Sequence, residues 1–205
     1  MLAQHDQIAH AAKYKAAKSL FEIGGGFGVN VHLVLENYPN IRKVLYLDVP
    51  PNLYIGTQYL KVFYGDRLRD YRETRSLSTI QFSNDKEIEI IAIAPWQLSQ
   101  VSAQFDIFHN AHSFVEMPQE TVQFYAGQAM RLLAKAGTVT LLSYDCFDLN
   151  TTFHPDLLPT FFPDMIFEKW LSPVLDGRYG IISYCGHRKP PVPVMRRLVK
   201  AVLGS

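Results

Sequence analysis

Residues 20–36 read LFEIGGGFGVNVHLVLE, with glycines at 24, 25, 26 and 28 between an apolar run and a run of helical spacing. Glycine weakens both helices and strands, so this much bare backbone marks a place where the chain must turn sharply or let something approach it closely. Upstream, SLFEIG predicts a short buried strand that stops at the glycines. Downstream, Val31, Val34 and Leu35 repeat at helical spacing until NYPN ends the helix. The order is strand, glycine turn, helix.

The same alternation continues outward. Residues 2–19 favour a leading helix on propensity. IRKVLYLDVP predicts a second strand closed by Asp48 and two prolines, and NLYIGTQYLKVFYGD resumes the helical period. Residues 67–84 are polar and of mixed charge, which predicts an irregular surface excursion. EIEIIAIAPW and FDIFHNAHSF are a third and a fourth strand. MPQETVQFYAGQAMRLLAKAG is a long helix with Pro118 in its first turn and Gly137 past its end, and TVTLLSYD is a fifth strand. MIFEKWLSPVLDGRYGIISYCGHR predicts two strands joined around Asp176-Gly177. The expected fold is an α/β, Rossmann-like, doubly wound seven-stranded sheet, mostly parallel with a C-terminal antiparallel hairpin strand, in one domain over residues 1–205.

Composition bounds the function. Hydrophobic residues make up 48% and charged residues 19%, enough for a packed core. A net charge of +1 leaves no general footprint for nucleic acid. Cys146 and Cys185 stand far apart without CxxC spacing, which argues against a disulfide scaffold or zinc site and for reduced thiols in the cytoplasm. The N-terminal stretch lacks the apolar core of a signal peptide, and no run of 18 apolar residues predicts a membrane span.

In open α/β sheets ligands bind beyond the carboxyl ends of the strands where strand order reverses, and the first strand borders that crevice. Glycines there admit a ligand to the main chain and aim the next helix's amides at it. A dinucleotide fingerprint G-x-G-x-x-G would need glycine where Val29 stands, and Glu22 would sit badly beside a pyrophosphate. The pattern is instead E-x-G-x-G-x-G, from Glu22 through Gly24, Gly26 and Gly28. A carboxylate suits a cationic ligand. S-adenosylmethionine carries an ammonium and a sulfonium and no phosphate, and Asp48, 22 residues after Gly26, is placed to accept from both ribose hydroxyls.

This order of motifs, with FDIF, LLAKAGTVTLL and the final hairpin, resembles the class I S-adenosylmethionine-dependent methyltransferases from Leu20 to Arg188. More narrowly, FEIGGGFGVNVHLVLENYPNIRKVLYLDVPPNLYIGTQYL with NAHSFVEMP resembles bacterial sugar O-methyltransferases of surface polysaccharide and glycan synthesis. The resemblance implies S-adenosyl-L-methionine as cofactor. It implies contacts from Glu22, Gly24, Gly25, Gly26 and Gly28 around the methionine part, with Asn110 nearby. Asp48 and Val49 would lie at the ribose, with Pro95 and Trp96 of APWQL beside the adenine. Members carry more chain upstream of the glycine strand, so part of the acceptor pocket is expected outside this chain.

Methyl transfer needs the nucleophile held behind the methyl group, and an alcohol also needs its proton removed. FHNAHSFVEMP supplies His109, Asn110, His112 and Glu116 at the end of the fourth strand. His112 is the expected base, as in plant O-methyltransferases, which place a histidine after that strand. His109 and Asp145 are further catalytic candidates, with His154 behind them; no HExxH-type motif appears, and no metal is expected. The loop at residues 146–164, with Phe153, Phe161 and Phe162, reads as an acceptor lid or as a satellite hydrophobic cluster. Residues 192–205 predict a basic amphipathic helix that would meet a membrane surface, its own domain or a second subunit. The expected activity is O-methylation of a small-molecule or glycan acceptor; the alternatives are a methyltransferase-like module without turnover and an NAD-dependent oxidoreductase.

Overall fold

The computed structural model describes residues 8–147, 149–172 and 180–190. The predicted hairpin turn at Asp176-Gly177 and the predicted C-terminal helix lie outside the described residues. The elements alternate along the chain: β1 (Ser19–Ile23), α1 (Val29–Asn37), β2 (Lys43–Leu47), α2 (Pro50–Tyr64), β3 (Leu68–Arg69), α3 (Tyr71–Thr74), β4 (Glu89–Ile93), β5 (Phe105–Ala111), α4 (Gln119–Leu132), β6 (Leu133–Tyr144), β7 (Met165–Ser172) and β8 (Ile181–Arg188). They build one eight-stranded sheet of order β3-β4-β2-β1-β5-β6-β8-β7. Strands β1 to β6 pair in parallel, and β8 and β7 close the sheet antiparallel.

β1 sits at the reversal of strand order, flanked by β2 on one side and β5 on the other. Every residue of β1 is buried, as expected of a parallel strand covered on both faces. The two-residue period then sorts its side chains. Phe21 and Ile23 enter the core shared with α4, while Leu20 enters the core under α1 and α2. Glu22 shares the face of Leu20. Cross-strand register sets Tyr46, Glu22, His109, Thr140 and Cys185 side by side across that face. A row of polar groups thus runs through the interior beneath α1 and α2.

Helix α1 spans the predicted residues and buries Val31, Val34 and Leu35 as predicted. Three other expectations are corrected. The leading helix reaches only Ala11 among the described residues; the chain turns over 12–16 with Lys13 at φ 57°, because Ile8, Ala12, Tyr14 and Ala17 are buried against the sheet. Tertiary burial overrides helix propensity there. Helix α4 ends at Leu132, and Leu133 passes directly into β6; pairing then jumps from Leu133 to Thr138, so residues 134–137 leave the ladder and Gly137 caps no helix. The stretch read as irregular contains the additional edge strand β3 and the capping box of α3, where Asp70 and Glu73 each accept a backbone N–H.

The aromatic loop resolves as a packed connection. Phe153, Phe161 and Phe162 are buried, with Phe162 6.0 Å from Phe108 and Phe153 5.3 Å from Phe161 between ring centroids. No helix among the described residues is long and apolar enough to cross a membrane.

Candidate functional site

Gly24 leaves β1 with its N–H on the Leu47 carbonyl, 2.8 Å away, and adopts φ 74°. Any Cβ there would collide with the Ser113 side chain, so glycine is required for both conformation and space. Gly26, at φ 57°, has nothing within 4 Å of a Cβ position and so presents bare backbone to open space. Gly28 begins α1 and packs on Leu60, where it serves the helix contact and lines neither cavity described next.

Two cavities meet over this turn. The first, about 400 Å³, is bordered by Gly24, Gly26, Asp48, Val49, Asn52, Pro95, His112, Glu116, Met117 and Tyr125. The second, about 310 Å³, lies on the α1 side and is bordered by Ile8, Tyr14, Glu22, Gly24, Gly25, Asn30, Leu33, His109, His112, Leu142 and Ile181. Gly24, Ala111 and His112 belong to both. These three residues border both cavities.

Asp48 ties the glycine turn to β2. Its Oδ2 accepts from the Gly26 amide and its Oδ1 from the Val49 amide, each at 2.7 Å, with Asn52 Nδ2 at 3.4 Å. Burial raises its pKa, opposed by those amides. Of the carboxylate's roughly four acceptor sites three are taken, which leaves one on Oδ2 for a hydroxyl arriving from the first cavity, with Oδ1 open to another only if the long Asn52 bond gives way. Asp48→Asn would leave one of the two amides facing an NH₂ group. Urea unfolding of this variant should show a loss of about 1 to 3 kcal/mol; unchanged stability would mean that the carboxylate does not hold the turn.

Glu22 is 2% exposed. Its Oε1 accepts from Asn30 Nδ2 at 3.0 Å, while its Oε2 has no hydrogen-bond partner. Burial, aided by the nearby Asp48 charge and opposed by the Asn30 bond, pushes its pKa up to about 8. Among the described residues no ion pair reaches Glu22 or Asp48. An orphaned buried carboxylate is costly, so its arrangement suits an incoming cation with N–H groups.

His112 follows β5 at φ 65°, ψ −37°, a conformation that strains an L residue. Its ring lies 4.2 Å from that of Tyr144, and its Nδ1 is buried without a partner. Burial lowers its pKa, so the imidazole is neutral near pH 7. His109 is held differently: its Nδ1 is 2.8 Å from the Thr140 hydroxyl, which itself donates to the Phe108 carbonyl at 3.0 Å. That network is satisfied when Nδ1 of His109 carries the proton.

Besides Gly28, four of the expected site residues line neither cavity. Asn110 lines neither cavity: its amide donates to the Ile23 carbonyl at 2.9 Å and to Ser113 Oγ at 2.6 Å and accepts from the Phe114 amide, so it fastens the turn after β5 to the end of β1. Trp96 is 61% exposed and also lines neither, although neighbouring Pro95 does. Asp145 lies past the end of β6, packed against Gly180, and lines neither cavity, and His154 is exposed beside Asp156. Glu22, Gly24, Gly25, Gly26, Asp48, Val49, Pro95, His109 and His112 are brought together.

Asn30, Asn52 and Tyr125 escaped the sequence reading. Tyr125 lies on the buried stripe of α4 with Val122, Ala126 and Ala129, a pattern that also describes plain core. Among the described residues no cluster of three His, Cys, Asp or Glu could hold a metal ion.

Comparison with solved structures gives first the class of fold: it is the Rossmann-like fold of S-adenosylmethionine-dependent methyltransferases. The particular neighbours include an O-methyltransferase family protein from Burkholderia thailandensis, at TM-score 0.62 and 11% identity over 93% of this chain and 57% of that one. The mitomycin 7-O-methyltransferase MmcR matches at TM-score 0.60 and 12% identity over 92% and 54%, respectively. Human N-acetylserotonin methyltransferase in complex with S-adenosylmethionine matches at 0.57 and 11% over 91% and 52%. The chain spans about half the length of each. No protein-family model matches the sequence, and no curated protein matches it.

Proposed function

We propose that this protein is an S-adenosylmethionine-dependent O-methyltransferase. The observation that carries this reading is the pair of buried carboxyl groups at adjacent strand ends, Glu22 with an orphaned oxygen and Asp48 with an acceptor site to spare on Oδ2, bridged by a glycine turn open at Gly26. When bound, S-adenosylmethionine supplies an electrophilic methyl group. Asp48 would hold the ribose hydroxyls, Val49 and Pro95 would flank the adenine, and Glu22 would receive the ammonium from the second cavity, with Gly24 and Ala111 bordering both cavities. Dinucleotide binding is disfavoured, because a pyrophosphate would meet the Asp48 carboxylate with no lysine or arginine in the lining of either cavity.

His112 borders both cavities with a neutral imidazole and would accept the proton of an acceptor hydroxyl. His109, fixed by Thr140, orients the second cavity's floor. A cytoplasmic setting belongs to this reading. The test is transfer of a labelled methyl group from S-adenosylmethionine to a panel of alcohols, including the sugar hydroxyls implied by the sequence resemblance. Product on any alcohol supports the reading. Cofactor binding without product on any acceptor would favour a binding module instead.

A further inference from the structure

The second cavity limits what the acceptor can be, granted the methyltransferase reading. Its apolar walls are Ile8, Val29, Leu33, Leu142 and Ile181. Its polar side chains are largely engaged by the protein itself: Asn30 donates to Glu22, Asn37 to the Leu33 carbonyl, and His109 bonds Thr140. Two of its residues hold buried polar atoms without a partner, Glu22 Oε2 and His112 Nδ1. If Glu22 receives the cofactor's ammonium, His112 remains for the acceptor.

We propose that the second cavity binds a compact acceptor of the phenol class, an apolar ring lodged against Leu33, Leu142 and Ile181 with its hydroxyl directed to His112. Shape and polarity agree. At about 310 Å³ the cavity is at the small end of the range for ligand sites, in which apolar walls supply contact and a few polar groups fix orientation. A sugar would bring several hydroxyls against aliphatic walls, and each buried hydroxyl left unpaired is costly. Acidity agrees as well. Burial makes His112 a weaker base than an ordinary histidine, and proton transfer is easier from a phenol, whose pKa is about 10 as in tyrosine, than from a less acidic alcohol.

The test has two arms. Binding of 4-methylphenol and of methyl glucoside to the cofactor-free protein is followed by saturation-transfer NMR, and methyl transfer to each is measured on wild type and on Leu33→Glu. Expected is phenol binding, with a kcat/KM for the phenol at least about tenfold above that for the glycoside. Leu33→Glu, which places a charge on the apolar wall, should lower phenol kcat/KM about tenfold or more. A fall in S-adenosylhomocysteine affinity as large as the fall in phenol kcat/KM would assign the effect to the cofactor's end of the cavity and overturn the proposal. Preference for the glycoside, absence of phenol binding, or a phenol kcat/KM insensitive to Leu33→Glu would overturn the proposal. Phenol binding in a protein that does not bind S-adenosylhomocysteine would contradict the methyl-donor reading alone.

Discussion

His112→Gly is expected to lower kcat about 100- to 10,000-fold, the range associated with losing a general base, while the folded protein keeps its stability to within about 1 kcal/mol. The two halves of this prediction come from one feature. His112 borders both cavities, its imidazole is kept neutral by burial, and its backbone holds a positive φ of 65°. Glycine removes the base and also relieves the backbone strain, which offsets the lost contact with Tyr144 and the added chain entropy. A purely structural histidine would behave in the opposite way, with stability lost and kcat little changed. In wild type, the acid limb of the kcat/KM profile should fall below the ordinary histidine value of 6.5, and it should be absent from the residual activity of the variant.

Glu22→Gln is expected to weaken cofactor binding about tenfold to a hundredfold, the scale of one charge-assisted hydrogen bond. The same substitution should stabilise the cofactor-free protein at alkaline pH. Folding raises the carboxyl from its ordinary value of 4.5 to about 8, so the folded chain holds this proton more tightly than the unfolded chain. Stability from this group is therefore fully present below the lower value and is lost as pH rises through the upper one, by up to about 1.4 kcal/mol per pH unit between them. Glutamine carries no such penalty. Thermal melts from pH 5 to 9 should show the variant overtaking wild type as pH rises, and parallel curves would contradict the burial of an unpaired carboxyl.

Much of this site was legible in the sequence because the chemistry is local. The glycine turn, Glu22 two residues before Gly24 and Asp48 at the end of the next strand all follow from period and punctuation. Helix α1 was legible because its apolar residues face one core. What escaped depends on contacts between distant segments. Strand β3 has two residues and exists through pairing with β4. The neighbouring positions of Glu22 and His109 depend on strand order, which puts β5 beside β1. The family resemblance implies a cofactor contact at Asn110, and only the fold reveals that Ile23, Ser113 and Phe114 use its amide. His112 was chosen for its chemistry, whereas its strained backbone and its place in both cavities are properties of the folded turn.

The central claim, that two carboxylates flanking a glycine turn hold a cationic nucleoside ligand, is tested most directly by calorimetric titration of the wild-type protein with S-adenosylhomocysteine at pH 7 in phosphate and in Tris. Glu22 is protonated before the ligand arrives and must lose its proton to pair with the ammonium. The predicted result is saturable binding whose apparent enthalpy differs between the buffers by the release of about one proton per ligand. Absence of binding, binding of NAD in preference, or an enthalpy independent of buffer would contradict it.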